Sequence, residues 1–176
     1  MLKSPDLDPN EAVTTTKTNR RPKATTGAAA TNNRRPKAAT GATTVDFLTR
    51  HAFNRLIGFE LVRVHRDGLT IQCQVRPDLL NSAGNVHGGV TASLADVAVG
   101  SALQHHFGGA RRFTTVELKI NYFRPVTEGR LRARSRLVRI GSRICVGQVD
   151  ISDGHRRSVG LAIVTYMLLD DPTAAS

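Results

Sequence analysis

The stretch Val90–His106 constrains the fold more than any other part of the sequence. It holds no proline, no charged residue except Asp96, and apolar or small residues on every side. A helix of that composition is predicted to be buried all round rather than to lie on a surface. Something must therefore wrap it, and the residues that follow read as strands. Phe113–Phe123 alternates until Pro125. In the next stretch Arg130, Arg132, Arg134 and Arg136 fall on one side and Leu131, Ala133, Ser135 and Leu137 on the other, the period of a half-buried strand running to Ile140. Gly141-Ser142 turns the chain, Ile144–Ile151 is a further strand, and Asp153-Gly154 signals a hairpin into Ser158–Leu169.

Upstream, Val45, Phe47, Leu48, Phe53, Leu56 and Ile57 have the spacing of one apolar helix face, and Gly58 stops that helix. Phe59–His65 and Leu69–Val75 read as a strand pair joined at Arg66-Asp67-Gly68. The expected architecture is α+β, with an antiparallel sheet wrapped around one long central helix.

Residues 1–44 differ from the rest. They contain no aromatic residue and repeat Asn-Arg-Arg-Pro-Lys-Ala at positions 19–24 and 33–38. Such a segment cannot bury enough apolar area to offset its ordering entropy, so it is expected to be a disordered basic tail ahead of a domain spanning 45–176. It carries eight Lys/Arg against three Asp/Glu, and the domain seventeen against eleven, within a net charge of +11. Basic charge favours anionic partners without choosing among them. The repeat suits an acidic-surface tether, and an Arg- and Thr-rich start suits a transit peptide, although Asp6, Asp8 and Glu11 count against the latter. A solvated tail without a specific role is the simplest reading. No run of 18 apolar residues and no secretory h-region is present, which leads to the expectation of a cytoplasmic protein with no membrane span. The two cysteines, Cys73 and Cys145, sit in strand-like runs; they form no disulfide framework and no metal-ligand spacing, so reduced, partly buried thiols and no metal are expected.

Chemistry concentrates around Asp96. A lone carboxylate in an apolar helix is costly unless hydrogen-bonded for a purpose or set at a cavity. Gly89, Ser93, Asp96 and Gly100 share one helical stripe, and all but Asp96 are small. That leaves room for a ligand or another backbone. At the start of the helix Gly88 and Gly89 expose N–H groups that the helix itself cannot satisfy, a natural seat for negative oxygen. A Gly-Gly pair alone also serves a plain tight turn. His87 beside them is a candidate base, but the better reading is a residue that caps or orients the backbone.

Taken together, Asn81-x-x-Gly84-x-x-His87-Gly88-Gly89 followed by Asp96, with the strand end Tyr122-Phe123-Arg124-Pro125, resembles the hotdog-fold thioesterases of the phenylacetate-pathway type, within the 4-hydroxybenzoyl-CoA thioesterase superfamily. The resemblance covers roughly residues 45–170. It implies a hotdog fold, dimers often pairing into tetramers, and CoA thioesters as substrates with no separate cofactor. By position it implies that Gly88 and Gly89 hold the thioester oxygen, that Asn81 assists, that Asp96 activates water or attacks directly, and that Thr115 positions the water. Geometry adds a constraint of its own. Gly88 and Asp96 are eight residues apart, about 12 Å along a helix axis, whereas donor and attacking group must both sit about 3 Å from one reacting centre. Two helices running oppositely meet that demand, so a site shared between subunits is expected.

Two other functions compete. A hotdog hydratase or dehydratase pairs an acid with a His, and the helix offers none before His105, too far along to share the Asp96 site within one chain. A non-catalytic acyl-CoA-binding regulator using the tail on DNA is opposed by the absence of a helix-turn-helix pattern in residues 1–44, so nucleic acid is not an expected partner. The arginine strand suits CoA phosphates, helped by Arg111, Arg112, Arg143, Arg156 or Arg157, but a solvated sheet face is the better reading for most of these residues.

Overall fold

The computed structural model describes residues 41–169, so all but the last four residues of the tail expected over 1–44 lie outside the described residues. The elements are α1 (Gly41–Arg50), α2 (Ala52–Ile57), β1 (Glu60–His65), β2 (Gly68–Gln74), a 3-10 turn at Pro77–Leu79, α3 (Gly88–His106), β3 (Phe113–Tyr122), β4 (Arg130–Ile140), β5 (Ile144–Ser152) and β6 (Ser158–Leu168). The six strands form one antiparallel sheet in the order β1-β2-β4-β5-β6-β3.

α3 lies on one face of this sheet and packs against β2, β3, β4, β5 and β6. Leu94, Ala95, Ala98, Val99, Ala102 and Leu103 enter the core from the helix, and Leu69, Ile71, Leu131, Ala133, Val149, Ile151 and Val164 from the strands. Burying alternate strand residues against one helix is the driving force, at roughly 25 cal/mol per Å² of apolar surface. Arg130, Arg132, Arg134 and Arg136 of β4 stand on the opposite face and are tied to neighbours there: Arg130 to Gln74, Arg132 to Gln72, Arg134 to Asp67 and Arg136 to Asp150.

Three expectations change. The first helix begins at Gly41, ahead of the expected boundary at Val45, and Thr44 is fully buried with its hydroxyl 3.1 Å from His105 Nδ1. The single helix expected to run on to Ile57 is broken at His51, whose backbone is extended (φ −81°, ψ 121°). Arg55 stabilises the break by donating to the carbonyls of Thr49 and Arg50 at 2.7 and 2.8 Å, the groups that an ending helix leaves unpaired. The apolar face is split as a result: Leu48 and Ile57 are buried, while Val45, Phe53 and Leu56 are exposed. Third, α3 is not buried all round. Gly89 is exposed and Ala92, Ser93, Asp96 and Val97 are half-buried, because a single chain supplies only one sheet to cover it.

Candidate active site

Asp96 stands midway along the open stripe of α3 and lines a cleft of about 270 Å³. Val97 and Gly100 come from the same helix, Phe113, Thr114 and Thr115 from β3, and Tyr166 from β6; Phe47, His51 and Asn54 close the cleft from α1 and α2. One carboxylate oxygen is engaged twice. Thr115 Oγ1 donates to Asp96 Oδ1 at 2.9 Å, and the Tyr166 hydroxyl lies 2.8 Å from the same oxygen and 2.9 Å from the Asp96 carbonyl. The placement of Thr115 depends on a register shift in β3. Thr115 pairs with Tyr166 but Glu117 with Thr165, so Val116 bulges outward.

Tyr166 was not singled out in the sequence. The strand alternation of Val164, Thr165 and Tyr166 points it inward with Val164, and a tyrosine at a core position needs a partner for its hydroxyl. That alternation was the available signal. Burial, and then the nearby Asp96 charge, push its phenol well above the ordinary tyrosine range, so it stays a hydrogen-bond donor.

The other predicted residues gather at the start of α3. Gly88 and Asn81 line a second recess, of about 380 Å³, together with Thr91, Tyr122, Phe123 and Arg124. The Asn81 side-chain oxygen accepts the N–H groups of Ala83 (2.9 Å) and Asn85 (3.2 Å), which orients its amide and leaves the NH₂ group without a partner among the described residues. The Tyr122 hydroxyl donates to Gly88 O at 3.0 Å and anchors the first helical residue. His87 Nδ1 accepts the Gly89 N–H at 3.0 Å, an N-cap rather than a base aimed at substrate. Gly89 therefore spends its donor inside the chain, while the Gly88 N–H makes no hydrogen bond among the described residues.

The structure thus brings Asp96 and Thr115 together, and separately Asn81 and Gly88. Within one chain the two groups line different recesses. It also places a histidine where none was expected: His51, from the break between α1 and α2, lines the Asp96 cleft, and His105 instead holds Thr44. Beside the cleft, sharing Phe47, His51 and Phe113, is a further recess of about 280 Å³ lined by Arg50, Arg111 and Arg112. Among the described residues no group of His, Cys, Asp and Glu has the arrangement of a metal site.

A six-stranded antiparallel sheet packed on one long helix, with a carboxylate on the helix's open stripe, defines a hotdog protein. Known proteins agree. Residues 83–159 match the model of the thioesterase superfamily. The medium/long-chain acyl-CoA thioesterase YigI of Escherichia coli K12 is 30% identical over 137 residues, covering 69% of this chain and 88% of YigI. The chain belongs to the thioesterase superfamily. Among solved structures, the conserved protein PA5202 of Pseudomonas aeruginosa is 30% identical with a TM-score of 0.64, over 68% of this chain and 94% of PA5202. The thioesterase HI1161 of Haemophilus influenzae, 22% identical, shares the fold with a TM-score of 0.70 over 76% and 93% of the two chains.

Proposed function

We propose that this protein hydrolyses acyl-CoA thioesters to free acid and CoA, at sites built from Asp96 and Thr115 of one subunit and Gly88 and Asn81 of another. The observation that carries the reading is the division of the site. A half-buried carboxylate held by two hydroxyls and an unpaired N–H at a helix start belong to one reaction, yet line different recesses of the same chain. The acyl-CoA thioesterase YigI, at 30% identity, supports the chemistry. The open stripe of α3 supports a second copy, as does β3, a strand of ten residues whose outer edge is unpaired among the described residues. Pairing two β3 edges about a two-fold axis sets the α3 helices side by side in opposite directions.

In the general-base route Asp96 takes a proton from water as the water oxygen bonds to the thioester carbon. The Gly88 N–H, aided by the helix dipole and the Asn81 amide, holds the oxygen as it becomes negative. The tetrahedral intermediate then collapses, the C–S bond breaks, and the proton leaves with the CoA thiolate. In the nucleophilic route Asp96 itself bonds to the carbon, CoA departs, and water cleaves the resulting anhydride. The recess of Arg50, Arg111 and Arg112, which make no ion pair among the described residues, suits the phosphates of CoA better than Arg130, Arg132, Arg134 and Arg136, which are already tied to neighbours. No cofactor is required beyond the CoA of the substrate. Two free, buried thiols suit a reducing compartment such as the cytoplasm, and among the described residues no helix is long and apolar enough to cross a membrane.

Thiol release from a panel of acyl- and arylacyl-CoAs tests the proposal. Asp96→Ala is expected to lose about 10²- to 10⁴-fold in kcat, the usual contribution of a positioned acid–base group. Undiminished release by the variant would remove Asp96 from the reaction. Because His51 shares the cleft, the panel includes a 2-enoyl-CoA: its consumption without thiol release would assign hydration instead.

A further inference from the structure

We propose that Tyr166 is a positioning residue that selects the working oxygen of Asp96: with Thr115 it occupies Oδ1 and leaves Oδ2 to face the substrate. This rests on the thioesterase reading and adds a residue to it.

Three observations carry it. The Tyr166 hydroxyl is shared between Asp96 Oδ1 (2.8 Å) and the Asp96 carbonyl (2.9 Å), so it ties the side chain to its own backbone and fixes the rotation of the carboxylate. Thr115 donates to the same Oδ1 at 2.9 Å, which fills that oxygen, while Oδ2 takes no hydrogen bond among the described residues. The third observation is Gly100. Glycine inside a helix costs roughly 1 kcal/mol relative to alanine, so its presence there calls for a reason. A Cβ at Gly100 would lie 2.8 Å from the Tyr166 hydroxyl and 3.4 Å from the ring carbon bearing it. The glycine is the space in which the hydroxyl sits. Phe113 packs edge-on to the Tyr166 ring, with centroids 5.4 Å apart. Together these contacts restrain the Asp96 side chain through one oxygen. A general base or nucleophile gains from such locking because the attacking atom is already in place when substrate arrives.

Tyr166→Phe keeps the ring and its packing and removes only the hydroxyl. The expected result is a fall in kcat on the order of 10- to 100-fold, the equivalent of one hydrogen bond to a charged group, with KM within about twofold and thermal stability nearly unchanged. Gly100→Ala, which displaces the hydroxyl without altering the tyrosine, is expected to give the same split between kcat and KM. Thr115→Val and Tyr166→Phe act on one oxygen, so their combined loss is expected to differ from the sum of the two. A crystal structure of Tyr166→Phe supplies a readout that needs no turnover, with the Asp96 carboxylate rotated or split between conformers. Wild-type kcat in Tyr166→Phe with an unmoved carboxylate would overturn the assignment. Lack of thiol release by the wild-type protein would instead count against the thioesterase reading, and the carboxylate geometry would still decide the role of Tyr166.

Discussion

The two cysteines show how far local sequence informs single residues. Both were expected to be partly buried, and both are in fact almost wholly enclosed, Cys73 on β2 and Cys145 on β5 at 1% and 0% exposure. Burial pushes the Cys73 thiol from 9.0 up to about 11 and raises Cys145 as well. Only the thiolate reacts readily, so neither residue is expected to be alkylated by iodoacetamide at pH 8 in the native state, and both after unfolding; mass spectrometry of the native protein checks this. Linkage fixes the pH effect. A folded pKa above the unfolded one contributes stability that is complete below pH 9 and is lost as pH rises toward 11. Denaturation midpoints are expected to fall over that window, less steeply in Cys73→Ala. Asp96, by contrast, was legible as a candidate because it is the only charge in an apolar run, and the structure sets it at a cleft. Its partner Tyr166 was not, because the contact joins residues 70 apart and no single-sequence pattern records which strand residue meets which turn of a helix.

At the scale of elements, periodicity located every strand to within a residue or two, because each strand has one face on the core. It failed where one element's pattern does not depend on itself alone. The break at His51 is held by local hydrogen bonds of Arg55 to the carbonyls that end α1 and by the packing of α1 on α3, neither of which alters the apolar spacing. The apolar character of α3 predicts burial all round, yet within the single chain its stripe from Gly89 to Val97 is open. Between helix and sheet the fit is close at Gly147 of β5, where a Cβ would lie 2.6 Å from both γ-methyls of Val99. Val99 is fully buried and, being β-branched, has few alternative rotamers. Gly147→Ala is therefore expected to destabilise the fold by about 1–3 kcal/mol through overpacking, read as a lower urea midpoint with an unchanged slope. An unchanged midpoint would mean that helix and sheet are looser than this contact implies.

At the scale of the whole molecule, the expectation of a shared site comes from helix geometry alone, since eight residues of α3 are too long a span for one reacting centre. The sequence carries no information about where a second copy would sit, because interface contacts leave no period in the chain. A complementation experiment tests the assembly directly. Asp96→Asn removes the carboxylate half. Gly88→Pro removes the N–H of the other half at the first helical position, where proline is tolerated, and the extended His87 before it (ψ 134°) suits a following proline. Each variant alone is expected to be nearly inactive, the second by about 10²- to 10³-fold. Refolded together in equal amounts, half of the dimers are mixed. In a mixed dimer one site collects both defects and the other collects neither, so about a quarter of wild-type activity returns. A site held within a single chain has no route to recovery, since every chain in the mixture is defective. Sedimentation of the mixture alongside the assay distinguishes the cases: recovered activity travelling with an oligomer supports the shared site, and a mixture as inactive as its components at the same oligomeric state would refute it.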